Sequence, residues 1–136
     1  MRKSYLPILI FAFFILFTGF NSYTIWDSGF STPLLATQKV EISEIKANPD
    51  RYHNQYVSVE GYVENVKQKV SKRGNPYTTF LITDKKGNSL KVFIWGWEDI
   101  SEGDKVRLEG IFQKVKYVSG YTFYNEISAK GIKKLK

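Results

Sequence analysis

The stretch Val57-Ser-Val-Glu-Gly-Tyr-Val63 puts a valine or a glycine at every second position. Side chains alternate across a β-strand, so Val57, Val59, Gly61 and Val63 share one face, and that face is suited to burial. The strand extends on both sides, from Gln55 to Val70, and is long for one small core. Gly61 inside it predicts a bend or bulge. Further on, Lys105 to Val118 repeats the arrangement with Gly110 in its middle. Between the two long strands lie Tyr77 to Asp84 and Ser89 to Trp95. They are set off by the turn Ser71–Pro76 and the tight hairpin Asp84-Lys-Lys-Gly-Asn88. In the third strand Leu90, Val92 and Ile94 share one face, and Lys91, Phe93 and Trp95 the other. Residues 96–104 form a connection with room for one helical turn. Ser119-Gly120 is a two-residue hairpin turn into a fifth strand, Tyr121 to Ile132. Upstream, Ile42 and Ile45 stand three apart in Glu41–Ala47, which predicts a short helix. It stops at Asn48-Pro49, because a residue before proline resists the helical conformation.

Five strands, two of them long and carrying a mid-strand glycine, suggest a small closed barrel, with a compact sandwich as the competing architecture. The stretches Val57–Val63, Phe80-Leu-Ile-Thr-Asp-Lys-Lys-Gly87, Ile100-Ser-Glu-Gly-Asp-Lys-Val106 and Leu108-Glu-Gly110 together resemble the OB-fold. More narrowly, they are similar to the anticodon-binding-type OB domains of tRNA synthetases, replication protein A and many small prokaryotic proteins. The resemblance covers about residues 41–132. It implies an all-β fold, a five-stranded Greek-key barrel behind a short helix. It also implies binding of nucleic acid.

Ahead of this domain, residues 4–26 contain no charged side chain and are dominated by Phe, Ile and Leu. At about 1.5 Å per residue, a helix of that length crosses a hydrocarbon core of roughly 30 Å. Arg2 and Lys3 precede it, and Tyr23 and Trp26 stand where an interfacial aromatic belt belongs. A basic start with an apolar run fits a signal peptide as well as an anchor. Large residues three positions before each candidate cut favour an uncleaved transmembrane anchor, residues 1–26. Residues 27–38 then form a linker, and 39–136 the folded domain. The positive charges hold the start in the cytoplasm and send the domain outside, as a single-pass membrane protein, or as a secreted one if the segment is cleaved.

Composition narrows the function. The 136 residues include no Cys and one His, so thiolate sites, cysteine nucleophiles and multi-histidine metal cages are excluded. The expectation is a protein that is not an enzyme, with no catalytic residues, no metal and no cofactor. Lys and Arg number 20 against 13 acidic residues, a net charge of +7, and aromatics reach 16%. The acidic residues Glu98, Asp99, Glu102 and Asp104 lack the alternating ligands of a calcium loop and suit the support of a turn. His53 reads as a surface or capping residue, and Asp84 as a turn residue. Extracytoplasmic haem chaperones share the OB-fold, but His53 stands away from the position where they attach haem.

The OB resemblance implies a ligand face on strands two and three, flanked by the first and fourth loops. Transferred to this chain, the first loop supplies Lys67, Lys69, Lys72 and Arg73. Strand three supplies Lys91, Phe93 and Trp95, with Tyr77 beside them on strand two. The fourth loop supplies Lys114, Lys116 and Tyr121. Cations track a phosphate backbone and rings stack on unpaired bases. The bland readings are a solvated Lys-rich hairpin, and rings that cover the barrel against a partner. Tyr62, Tyr77, Phe80, Phe112 and Phe123 suit strand packing, and Lys130, Lys133, Lys134 and Lys136 a solvated end. The leading expectation is a membrane-tethered module binding single-stranded nucleic acid with little sequence preference. The alternative is an extracytoplasmic interaction module for a protein, peptide or glycan.

Overall fold

The computed structural model describes residues 37–136. The expected membrane segment, residues 1–26, lies outside the described residues, as does all but the end of the expected linker, 27–38.

Five strands close into a barrel: β1 (Gln55–Val70), β2 (Pro76–Thr83), β3 (Ser89–Trp95), β4 (Lys105–Val118) and β5 (Tyr121–Lys134). The ring order is β1-β2-β3-β5-β4. Neighbours are antiparallel except β3 and β5, which run parallel over Lys91–Phe93 and Glu126–Ser128. The length of β1 is what closes the ring. Its first half pairs with β4 and its second half with β2, and Tyr62 faces Lys105 on one edge and Thr83 on the other. A closed ring excludes the compact sandwich.

Gly61 stands just before this handover. A Cβ there would lie 2.6 Å from the Thr83 carbonyl oxygen and 2.8 Å from Ile82 Cγ1, so only glycine fits. The bulge expected near it lies further along, between Glu64 and Lys67, where Asn65 takes a φ of 58°. In β4, where the sequence marks only a mid-strand glycine, the β4–β5 register shifts between Glu109 and Gly110.

The strand alternation places Val57, Val59, Val63, Phe80, Ile82, Leu90, Val92, Ile94, Val106, Leu108, Phe112 and Ile127 in one buried core. The short helix forms as α1 (Ile42–Ala47) and lays Ile42 and Ile45 into the same core. It ends at Asn48 as expected. Pro49 then opens a further turn, α2 (Pro49–Tyr52), since the first helical position needs no N–H donor.

The helical turn allowed in residues 96–104 is absent. Gly96 and Gly103 have φ of 93° and 85°, outside the right-handed helical region. The connection is tied down instead: the Gly103 amide donates to the Val63 carbonyl, and the Ser101 amide to the Asp104 carboxylate at 2.8 Å. Glu102 accepts from the Val66 amide at 2.9 Å, so the acidic residues there support the turn and the bulge beside it. Asp84 caps its hairpin, accepting from the amides of Lys86 and Asn88 and from the Asn88 side chain. The Asn88 side chain, ahead of those amides, holds the Asp84 carboxyl below its ordinary range.

Candidate functional site

β2 and β3 pair with Tyr77 opposite Trp95 and Thr79 opposite Phe93. Their neighbours Thr78, Phe80, Val92 and Ile94 are buried, so alternation turns the first four outward. Three rings meet there. Phe93 and Trp95 stand edge to face with centroids 4.9 Å apart; Tyr77 lies 5.3 Å from Phe93 and 6.1 Å from Trp95. This mutual packing orients the rings before any ligand arrives. Trp95 remains 59% exposed.

The cluster lies in an open groove of about 860 Å³. One wall is the end of β1 and the turn after it, with Lys69, Lys72 and Arg73. That turn is built rather than loose. The Asn75 amide donates to Ser71 Oγ at 3.1 Å, the Gly74 amide to the Ser71 carbonyl at 2.9 Å, and Gly74 takes a φ of 87°. The Trp97 indole donates to the Lys69 carbonyl at 3.2 Å and ties the β3–β4 connection to β1. The opposite wall is the β4–β5 hairpin, with Lys116, Val118, Tyr121 and Phe123. Glu126, Ser128 and Lys130 of β5 complete the lining.

Eight of the eleven expected site residues line this groove: Lys69, Lys72, Arg73, Tyr77, Phe93, Trp95, Lys116 and Tyr121. Three do not. Lys67 belongs to β1 rather than to a loop, and although its partner Thr79 is in the lining, Lys67 itself is outside it. Lys91 shares a face with Phe93 but sits opposite Leu81, two residues further from the cationic turn. Lys114 points elsewhere: its ammonium is 2.7 Å from Asp50 of α2, and its amide donates to His53 Nδ1 at 3.0 Å. The His53 side chain thus accepts from a backbone amide, in keeping with a capping role.

Lys114 and Lys116 would share a face of a regular strand. Here the ladder skips the pairing of Lys114 with Asn125, which has a φ of 51°, and the two lysines diverge. Lys116 reaches inward to Glu126 Oε1 at 2.9 Å and Ser128 Oγ at 3.1 Å. Its ammonium also lies 5.0 Å from the Phe93 ring centroid and 5.9 Å from that of Phe123. It is therefore a clamp within the groove rather than an open cation. Among the described residues, Lys69, Lys72, Arg73 and Lys130 form no ion pair with a carboxylate.

Sequence reasoning misses several groove features. Phe123 reads as strand packing and Lys130 as a solvated end, yet both line the groove. Glu126, nine-tenths buried, carries no local signal, because its place depends on the parallel pairing of β3 and β5. Phe80 and Phe112 are core residues as expected. Away from the groove, Glu60 accepts from Arg107 Nε at 2.8 Å, and this hydrogen bond, with Lys39 nearby, holds its carboxyl below the ordinary range.

No protein-family model and no curated protein matches the chain. Among solved structures, one from Leishmania major Friedlin, described as a putative aspartyl-tRNA synthetase, superposes with a TM-score of 0.55 at 15% identity. The fold is OB-like. The match covers 74% of this chain and 21% of that one, so this chain corresponds to about a fifth of that protein's length. At this identity the likeness concerns the fold alone.

Proposed function

We propose that this chain is a membrane-tethered OB-fold module that binds single-stranded nucleic acid without strong sequence preference and performs no chemistry on it. The observation that supports this best is the convergence of Lys69, Lys72 and Arg73 with Tyr77, Phe93 and Trp95 in one open groove. The unpaired cations track a phosphate backbone while the exposed Trp95 face receives a base, at about 1–3 kcal/mol per stacked base. Five cations against one carboxylate make the groove attractive to a polyanion. A chain described as a putative aspartyl-tRNA synthetase shares the fold, and the nucleic-acid ligand and the narrower kinship to anticodon-binding-type OB domains belong to this proposal. The apolar segment at residues 4–26 supplies the tether, and Arg2 and Lys3 direct the domain out of the cytoplasm.

The test is a titration of the full chain, held in neutral detergent, against single-stranded DNA, single-stranded RNA and duplex at two salt concentrations. Single strands bind tighter than duplex, and the affinity falls as salt rises. Absence of binding at low salt would refute the reading and leave the groove to a protein, peptide or glycan.

A further inference from the structure

A groove that only tracked phosphates would have no use for a carboxylate on its lining, since a negative charge there repels the backbone. Glu126 is nevertheless there, with its side chain 8% exposed. One of its oxygens, Oε1, is taken up by Lys116. Its other oxygen, Oε2, accepts no hydrogen bond from the described residues, yet no fully buried side-chain polar atom among those residues lacks a partner. Oε2 is therefore not fully buried, and Glu126 lines the groove. An ionised carboxylate only accepts hydrogen bonds, so whatever meets it there must donate.

Lys116 joins this carboxylate to the ring cluster, because its ammonium touches Glu126 and lies over Phe93. On β5, Glu126 stands two residues from Ser128, the partner of Phe93, so the carboxylate lies one step along the groove from that ring, within the run of a bound strand. Bases differ at their edges. Cytosine, adenine and guanine present an exocyclic amine with an unobstructed N–H. Thymine and uracil offer only a ring N–H flanked by two carbonyl oxygens, which repel a carboxylate.

From this we infer that Glu126 reads bases: at one position of the bound strand it selects bases with an exocyclic amine over thymine and uracil. The inference rests on the nucleic-acid reading of the groove. It adds a preference at one position to binding otherwise indifferent to sequence.

Equal-length fluorescent oligo(dC) and oligo(dT) test it, titrated by anisotropy against the full chain in neutral detergent at neutral pH and one salt concentration. Both are pyrimidine strands, so stacking area is closely matched. Oligo(dC) binds about five- to tenfold tighter than oligo(dT). An oligomer of 2-pyrimidinone, which is cytosine without the amine, binds like oligo(dT). Glu126→Gln keeps an amide oxygen for Lys116 and turns an NH₂ donor to the groove, so the ratio drops to one or below. Equal binding of oligo(dC) and oligo(dT) by the parent overturns the inference while leaving the groove a nucleic-acid site. A parental ratio retained in Glu126→Gln also overturns it. If no oligomer binds, the nucleic-acid reading itself fails.

Discussion

Lys116 and Glu126 form a largely buried ion pair, 2.9 Å apart, across the β4–β5 hairpin in the lining of the groove. The lysine is 20% exposed and the glutamate 8%, so each charge depends on the other for solvation. Removing one partner strands a buried charge, which costs more than the pair itself contributes. Lys116→Met is therefore expected to lower stability by about 2–4 kcal/mol. Denaturant unfolding checks this, and an unchanged midpoint would show that the pair is superficial.

Open cations and stacking rings predict different binding signatures. Replacing Lys69, Lys72 and Arg73 with Ala flattens the salt dependence of single-strand binding, by about 0.7 in log–log slope for each phosphate no longer neutralised. Trp95→Ala weakens binding by about 1–3 kcal/mol with the slope nearly unchanged, because stacking releases no counterions. Titration at several salt concentrations separates the two. Parental behaviour in both variants would mean the groove is misassigned.

Gly110 faces backbone alone, and Gly61 a backbone carbonyl together with the packed side chains of Ile82 and Ile42. A Cβ on Gly110 would collide with the Ser128 carbonyl oxygen and lie 2.6 Å from Ala129 Cα. The β4–β5 ladder cannot move away without breaking its pairing. Gly110→Val and Gly61→Val should each destabilise the domain by about 1–3 kcal/mol or more. Thermal melting at wild-type temperature in both variants would contradict the barrel.

Glu60 and Asp84 set an acid limit. Both carboxyls titrate below their ordinary range in the folded chain, through the hydrogen bonds from Arg107 and Asn88 respectively. Their contribution is present above the unfolded pKa of about 4 and is lost as pH falls through the lower folded values. Melting temperature should therefore drop on acidification below about pH 4, and Glu60→Gln with Asp84→Asn should shallow that drop. An identical acid profile in the double variant would remove these two groups from the account.

The proposed tether makes a topological prediction. A reporter joined after Lys136 should be active only outside the cytoplasm, because Arg2 and Lys3 retain the start of the chain inside. Cytoplasmic activity would reverse the orientation.

The local elements are legible in the amino-acid sequence because their causes are local. Alternation in Val57–Val63 and in Leu90–Ile94 decides which side of a strand is buried. Asp84 and Gly87 dictate one hairpin, Ser119-Gly120 another, and Pro49 ends α1. Two long strands with central glycines suggest the barrel, and the crowding at both positions shows why glycine is required. Membership of the groove is legible only in part. Phe93 and Trp95 follow from alternation along one strand, and Lys72 and Arg73 from a turn between two strands. Glu126 and Ser128 reach the same groove only because β5 runs parallel to β3 there, a pairing that no sequence period encodes. Lys114 and Lys116 carry the same period-two signal, yet one pairs with α2 and the other with β5. The left-handed backbone of Asn125 and the position of Asp50 belong to the closed barrel. Alternation states which side of its own strand a residue takes; only closure of the ring decides what that side meets.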